Sequence, residues 1–281
     1  MDQTSTKLSP PSAPREFGFY VDGKSIAAGK REVFERASPG HGVPVTRIPK
    51  CTTDDLDTAV AAASTAYDDR RWSGLNGAAR AAVLLKAGAL IRERAEEIAY
   101  FETLENGKPI AQARGEVGGC ADMFEYASGL ARSLHGDSFN NLGDGMFGMV
   151  TREPVGVCGL ITPWNFPFLI LCERVPYILA SGCTLVVKPS EVTSATTLIL
   201  AEIMTDAGLP AGCMNVVTGS GRTIGQALIE HDDIDMVSFT GSTAVGRAVV
   251  EASAKTNFKK LGLELGGKNP LLVFSDCDFE L

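Results

Sequence analysis

The second half of the chain alternates short apolar segments with longer segments of helical periodicity. Apolar stretches at residues 157–161, 184–187, 214–217 and 236–239 predict strands, and each is followed by a turn rich in glycine or proline and then by a helix. A fifth strand is predicted at residues 260–263. Regular alternation of this kind predicts a Rossmann-like α/β fold with a mainly parallel, doubly wound sheet.

The first half is predicted to be largely helical. Its expected elements are strands at residues 17–21, 32–36 and 43–48 and helices at residues 52–67, 78–104 and 110–134. Asn106, Gly107, Lys108 and Pro109 break the helical pattern between the last two helices. Residues 138–155 predict two strands joined by a glycine-rich bend, and therefore a protruding hairpin.

Composition narrows the functional class. The 26 basic and 34 acidic residues give a net charge of −8, which argues against nucleic acid and anionic membranes as partners. The longest apolar runs are strand-sized, and the polar first 16 residues lack the apolar core of a signal peptide. The seven cysteines have no CxxC spacing, which predicts buried thiols in the cytoplasm and neither disulfides nor a metal site.

Five polar or glycine-rich segments follow the five predicted strands. They are Asn165 and residues 188–191, 219–225, 241–246 and 264–268, and successive segments lie 22 to 31 residues apart. That interval is about one strand plus one helix. Because ligands bind beyond the carboxyl ends of the strands in a doubly wound sheet, we expect all five segments to converge on one edge.

Two of these segments have features of phosphate-binding turns. Gly241 and Ser242 open a helix whose free amides suit a phosphate, although a merely capped helix has the same pattern. Residues 219–225 read G-x-G-x-x-x-G, one residue longer than the usual dinucleotide fingerprint, so the segment by itself favours a plain loop over a dinucleotide-binding turn.

Lys188 and Glu191 follow the second predicted strand of the alternating region. A lysine and a carboxylate there can hydrogen-bond ribose hydroxyls, and the carboxylate would repel a 2′-phosphate and favour NAD over NADP. The alternative is a solvated pair at a strand end.

Two further side chains suggest catalytic roles. Glu264, in a partly apolar cleft, is a candidate general base, although a surface glutamate is the simpler alternative. Asn165, between Trp164 and Phe166, could donate its amide to an oxyanion or could satisfy the backbone of a bend next to Pro167.

Together these segments resemble the aldehyde dehydrogenase superfamily. The resemblance runs from about residue 17 to residue 281 and keeps the family's motif order. It is carried by ENGKP (105–109), ITPWNFP (161–167), KPSE (188–191), GSGRTIG (219–225), FTGSTAVGR (239–247) and LELGGKNP (263–270).

The resemblance implies an oxidoreductase that oxidises an aldehyde to an acid. The family reaction passes through a thiohemiacetal, hydride transfer to NAD(P)+ and hydrolysis of the acyl-enzyme. Asn165 would stabilise the oxyanion and Glu264 would activate water for deacylation. The resemblance assigns NAD, with NADP less favoured, to a site formed by Ile161, Thr162, Pro163, Trp164, Lys188, Ser190, Glu191, Gly221, Gly225, Gly241, Ser242, Val245, Gly246 and Leu265.

That chemistry needs a cysteine nucleophile, which in the family lies a few dozen residues beyond the glutamate. Only 17 residues follow Glu264 here, and Cys277 among them is expected to be a buried small residue. Cys158, Cys172 and Cys183 are expected to be core thiols. We therefore expect the chain to be truncated before the nucleophile and to be inactive by itself.

The expected domains follow from the same resemblance. We expect a flexible tail at residues 1–15, an NAD-binding domain at 16–136 and 156–264, an oligomerisation hairpin at 137–155 and the start of a catalytic domain at 265–281. The partners would be a small-molecule aldehyde and further copies of the complete chain, or a complementary catalytic segment. The alternative function is an inactive dinucleotide-binding or subunit-interaction module.

Overall fold

A seven-stranded sheet forms the centre of the fold. The structure is a computed structural model, and it describes residues 8–279. Within that range the strands are β1 (Arg15–Glu16), β2 (Phe19–Val21), β3 (Lys24–Ile26), β4 (Val33–Ala37), β5 (Pro44–Pro49), β6 (Ser138–Phe139), β7 (Gly148–Met149), β8 (Val157–Ile161), β9 (Thr184–Lys188), β10 (Met214–Val216), β11 (Met236–Gly241) and β12 (Lys260–Leu265).

Helices pack around this sheet. They are α1 (Thr53–Asp68), α2 (Gly77–Glu93), α3 (Ala95–Asn106), α4 (Ile110–Ser133), α5 (Pro167–Cys172), α6 (Val175–Ala180), α7 (Ala195–Ala207), α8 (Gln226–Glu230) and α9 (Thr243–Lys255), with a π-helical turn at Gly221–Gly225 before α8. Helices α1 to α4 belong to the first half of the chain.

The strand order of the central sheet is β12-β11-β8-β9-β10-β2-β3. Strands β8 to β12 are mutually parallel, and β2 and β3 extend the sheet in antiparallel fashion. The chain therefore runs outward from β8 through β9 to β10, and then returns to the other side of β8 with β11 and β12. This is the doubly wound order, so the predicted α/β fold class is confirmed.

The central strands β8 and β9 are buried along nearly their whole length, as expected where both faces of a parallel sheet are covered. In β9, Leu185 and Val187 belong to one buried cluster and Val186 to the other, because successive side chains point to opposite faces. The α1 helix begins as its sequence predicts: Thr52 and Asp55 form a capping box in which each side chain accepts from the other's backbone amide.

Two helices expected to be continuous are divided. The helix predicted at residues 78–104 is interrupted at Arg94, whose guanidinium donates to Glu97 at 2.6 Å and to Glu202 at 2.8 Å. The helix predicted to follow the strand at residues 157–161 divides into α5 and α6 before Pro176, which lacks the amide needed to continue a helix.

Part of the N-terminal region and the hairpin lie outside the central sheet. Strands β1, β5 and β4 form a separate small sheet, and β6 pairs with β7 in antiparallel fashion as the hairpin prediction requires. Residues 1–7 of the predicted tail lie outside the described residues. Within the described part, Tyr100 Oη donates to Ser9 O at 3.0 Å, and Arg15 already forms part of a strand.

Six of the seven thiols are buried, as predicted, and Cys277 is the exception. The prediction that Cys277 is buried is wrong: residues 266–279 contain no helix or strand to pack over it, so its side chain is exposed. Among residues 8–279, no helix combines the length and the apolar character that a membrane crossing needs.

Candidate active site

The candidate site lies where the winding direction of the sheet reverses. Strand β8 is flanked by β9 on one side and by β11 on the other, so the turns after these strands diverge and leave a crevice at their carboxyl ends. As predicted, the polar segments that follow the five parallel strands lie at this edge. They line two neighbouring cavities.

The smaller cavity, of about 300 Å³, contains most of the residues predicted to bind the cofactor. We call it the dinucleotide cavity. The predicted residues that line it are Ile161, Thr162, Pro163, Trp164, Lys188, Ser190, Glu191, Gly221, Gly225, Gly241, Ser242 and Val245.

Lys188 and Glu191 form the charged part of the dinucleotide cavity. Lys188 Nζ lies 3.3 Å from Glu191 Oε2 and donates to Pro189 O at 3.0 Å. Lys188 is only 2% exposed, whereas the Glu191 side chain is 37% exposed. Burial lowers the pKa of Lys188, and the Glu191 charge opposes that shift. The pair therefore presents a fixed donor and a partly free acceptor to the cavity.

Two turns at the cavity expose backbone amides. Ser242 Oγ accepts from Val245 N at 3.3 Å and caps α9, while Ser220 Oγ accepts from Thr223 N at 3.2 Å and caps the π-helical turn. Caps of this kind satisfy only some of the free amides of a helix start, so the remaining amides can bind an anion.

Thr162 contributes an unsatisfied polar atom. Its Oγ1 is buried and has no hydrogen-bond partner among the residues that the structure describes. Thr162 lines the dinucleotide cavity, so a bound polar ligand could satisfy this hydroxyl.

The larger cavity, of about 1250 Å³, contains both predicted catalytic side chains, Asn165 and Glu264. We call it the open cavity. It shares Pro163, Trp164, Thr240, Gly241 and Ser242 with the dinucleotide cavity, so these residues separate the two spaces.

Glu264 is more exposed than the predicted partly apolar cleft would allow. Its side chain is 67% exposed, and its Oε1 lies 3.6 Å from Arg174 Nη2. The reason is its position near the end of β12, which lies at the edge of the sheet and, among residues 8–279, pairs with β11 alone. Asn165 is also exposed, in the turn between β8 and α5.

Gly246 and Leu265 lie beside the dinucleotide cavity rather than in its wall. Gly246 faces β12, and a Cβ there would come within 2.5 Å of Leu265 Cδ2. The two residues share a shallow depression with Arg247 and Val250, and Leu265 also lines the open cavity. The geometry gives Gly246 a packing function against Leu265.

The dinucleotide cavity includes residues that the sequence analysis did not select. Helical spacing offered a signal for two of them, because Ile229 lies four residues after Gly225 and Val249 four residues after Val245. The complete set of added lining residues is Gln226, Ile229, Phe239, Thr240 and Val249.

The cysteines lie away from both cavities. None of the seven, all of which fall within the described residues, lines either space. Cys183 Sγ accepts from Val155 N at 3.2 Å and from Ser181 Oγ at 3.3 Å. A hydrogen bond from Cys158, together with these donors, lowers the pKa of Cys183 to about 6 despite its burial. Its place before β9 makes it a core thiol, as predicted.

Comparison with known proteins identifies the family. The sequence model of the aldehyde dehydrogenase family matches residues 26–281. The chain belongs to the aldehyde dehydrogenase family. It is 40% identical over 262 residues to aldehyde dehydrogenase family 2 member C4 of Arabidopsis thaliana, covering 93% of this chain and 52% of that protein. The chain thus spans about half the length of the curated relatives it matches.

Solved aldehyde dehydrogenase structures share the fold. An NAD-dependent aldehyde dehydrogenase from Sinorhizobium meliloti superimposes with a TM-score of 0.91 at 50% identity, covering 99% of this chain and 55% of the other. A betaine aldehyde dehydrogenase double mutant from Staphylococcus aureus, solved in complex with NAD+, gives a TM-score of 0.89 at 32% identity, covering 94% of this chain and 52% of the other. The family assignment made from the motifs is confirmed.

The described residues fit a dinucleotide. The cavity combines a buried ammonium at Lys188, an acceptor at Glu191, free amides at the start of α9 and the unsatisfied hydroxyl of Thr162. Ribose hydroxyls and phosphate oxygens need donors and acceptors of these kinds.

Proposed function

We propose that the protein takes part in the NAD-dependent oxidation of an aldehyde to a carboxylic acid and that these 281 residues supply its cofactor-binding half. The dinucleotide cavity carries the proposal, because it gathers twelve of the fourteen predicted cofactor residues at the switch point of the sheet. NAD+ would supply the hydride acceptor.

Asn165 and Glu264 have distinct proposed roles in the open cavity. The Asn165 amide donates to the oxyanion that develops when a nucleophile adds to the aldehyde carbonyl. The Glu264 carboxylate accepts a proton from the water that releases the acid product. The nucleophile itself would be a thiol from outside residues 1–281, because none of the seven cysteines lines either cavity.

The cofactor preference follows from Glu191. Its carboxylate oxygen lies 3.3 Å from the buried Lys188 ammonium and remains partly exposed to the cavity. It can accept from a 2′-hydroxyl, whereas a 2′-phosphate in its place would meet like charge. We therefore assign NAD rather than NADP.

Titration calorimetry of the purified 281-residue chain tests the cofactor assignment. NAD+ should bind more tightly than NADP+, and tighter binding of NADP+ would refute the role of Glu191. The same preparation, given NAD+ and a panel of small aldehydes, should produce no NADH. Aldehyde-dependent NADH formation would refute the proposal that the nucleophile lies outside these residues.

The hairpin suggests how complete copies associate. Six apolar side chains of residues 138–150 are exposed: Phe139, Leu142, Met146, Phe147, Met149 and Val150. An apolar arm of this kind suits burial against another subunit, so the proposed assembly is a homo-oligomer of the complete chain. The buried free thiols support a reducing compartment such as the cytoplasm.

A further inference from the structure

The C-terminal end of α3 contacts the loop that carries Asn165. Asn106, the last residue of α3, donates from Nδ2 to Trp164 O at 2.6 Å and to Asn165 O at 3.2 Å. One amide therefore binds two successive carbonyls of a loop 58 residues further along the chain. The residue after it, Gly107, has φ of +88°, a left-handed conformation that turns the chain back toward the same loop.

The next two contacts come from charged side chains of the same segment. Lys108 Nζ lies 4.7 Å from the centroid of the Phe166 ring, and Glu102 Oε1 accepts from Phe168 N at 3.4 Å. The two charges also pair directly, with Lys108 Nζ 3.0 Å from Glu102 Oε1.

The charged pair is itself anchored. Glu102 Oε2 accepts from Thr196 Oγ1 in α7 at 3.2 Å, and Lys108 Nζ donates to Glu116 Oε2 in α4 at 2.6 Å. Both Glu102 and Lys108 are buried. The support for the loop is thus connected to α3, α4 and α7.

We propose that Asn106, supported by Glu102 and Lys108, is a positioning residue that sets where the 164–166 loop stands between the dinucleotide cavity and the open cavity. The two hydrogen bonds hold the backbone of Trp164 and Asn165 in place. They thereby set the position of the Asn165 side chain and of the Trp164 indole, and Trp164 lines both cavities. The expected effect on NAD+ binding rests on the proposed function, whereas the effect on the position of the loop does not.

Trp164 provides a direct readout. The chain has two tryptophans; Trp72 is fully buried and Trp164 is 60% exposed. Time-resolved fluorescence anisotropy, with the signal of the matching Trp164→Phe variant subtracted, isolates the nanosecond motion of Trp164. In Asn106→Ala the amplitude of that motion should rise about two-fold in the absence of cofactor, and the Kd for NAD+ should rise about five-fold.

The chain offers a matched control. Asn257 Nδ2 also donates to two backbone carbonyls, Asp232 O at 2.6 Å and Ile234 O at 2.9 Å. These two carbonyls belong to the segment that precedes β11, and not to the 164–166 loop. Asn257→Ala should leave both the Trp164 motion and the NAD+ affinity unchanged. A general loss of stability would affect the two variants alike, so it could not produce the expected difference.

Asn106→Asp keeps the side-chain shape and tests the donor directly. At neutral pH its carboxylate faces two carbonyl oxygens, so Trp164 should become mobile, whereas protonation near pH 4 should restore a donor and reduce the motion. This variant also carries the test should Asn106→Ala fail to fold. Unchanged Trp164 motion in both variants would overturn the positioning role. If Trp164 moves more in the two variants than in the parent but the parent does not bind NAD+, the positioning role is supported and the proposed cofactor site is refuted.

Discussion

The two cavities at the sheet edge differ in how firmly the described residues hold their polar groups. In the dinucleotide cavity the key ammonium, Lys188, is 2% exposed and paired with Glu191. In the open cavity Asn165 and Glu264 are both exposed. The first cavity is enclosed by turns from four parallel strands, whereas the second extends to the edge strand β12.

The segment after β12 sharpens this contrast. Residues 266–279 contain no helix or strand, and they leave Leu271 88% exposed and Phe274 70% exposed. Apolar side chains this exposed commonly mark surfaces that bind other protein segments. The difference shows that the proposed cofactor site contains a buried, paired ammonium, whereas both proposed catalytic side chains stand at an exposed surface.

The largest expected effect concerns the buried carboxylate of Glu105, near the C-terminal end of α3. Its carboxylate accepts from Thr46 Oγ1 and from Ala195 N at the start of α7. Burial raises the pKa of Glu105 to about 7, from an ordinary value of 4.5. Protonation therefore stabilises the fold below pH 4.5, and that stabilisation is lost as pH rises through 7.

Replacing Glu105 with Gln removes this titration. The free energy of unfolding of the parent relative to Glu105→Gln should fall by about 3 kcal/mol between pH 4.5 and pH 7.5. Urea denaturation at several pH values measures it. Glu93→Gln, at an exposed position of α2, should keep the pH dependence of the parent. Parallel pH profiles for the parent and Glu105→Gln would contradict the prediction.

The second effect is on cofactor affinity. Lys188→Met removes a buried charged donor, and such hydrogen bonds typically contribute about 1.5–3 kcal/mol, so the Kd for NAD+ should rise about 30-fold. Calorimetry measures the change. Lys24→Met, at an exposed position of β3, should have no effect. A Lys188→Met variant that binds within two-fold of the parent would remove Lys188 from the proposed site.

A smaller effect is expected on cofactor selectivity. In Glu191→Ser the repulsion of a 2′-phosphate is lost while a hydroxyl remains, so the ratio of the Kd for NADP+ to the Kd for NAD+ should fall about ten-fold. Titrating one preparation with both nucleotides measures this ratio. An unchanged ratio would show that the cavity excludes the 2′-phosphate by some other contact.

The sequence predicts the residues that line the dinucleotide cavity better than it predicts the long-range contacts that hold the 164–166 loop. Turns after parallel strands must converge, so the position of Lys188 and of the α9 start follows from the local pattern alone. The contact of Asn106 with Trp164 O spans 58 residues and depends on how two helices pack. Periodicity along the chain carries no information about such a contact.

The errors have the same origin. Arg94 lies at the break between α2 and α3 and pairs with Glu202, 108 residues away, and no local pattern near Arg94 indicates that partner. The exposure of Cys277 and of Glu264 depends on what covers the edge strand, which is a tertiary property. Local chemistry therefore predicts element type and turn position well, and long-range packing decides the rest.

The smallest expected effect offers a direct way to break the contrast between the cavities. Asn165→Ala and Glu264→Gln change side chains that line only the open cavity, so each should leave the Kd for NAD+ within two-fold of the parent. Asn165 shares a loop with Trp164, but Asn165→Ala keeps the backbone carbonyl that accepts from Asn106, so the loop should stay in place. Calorimetry on both variants beside Lys188→Met compares the cavities in one experiment. A ten-fold loss of affinity in either would show that cofactor binding extends into the open cavity and that the two spaces act as one site.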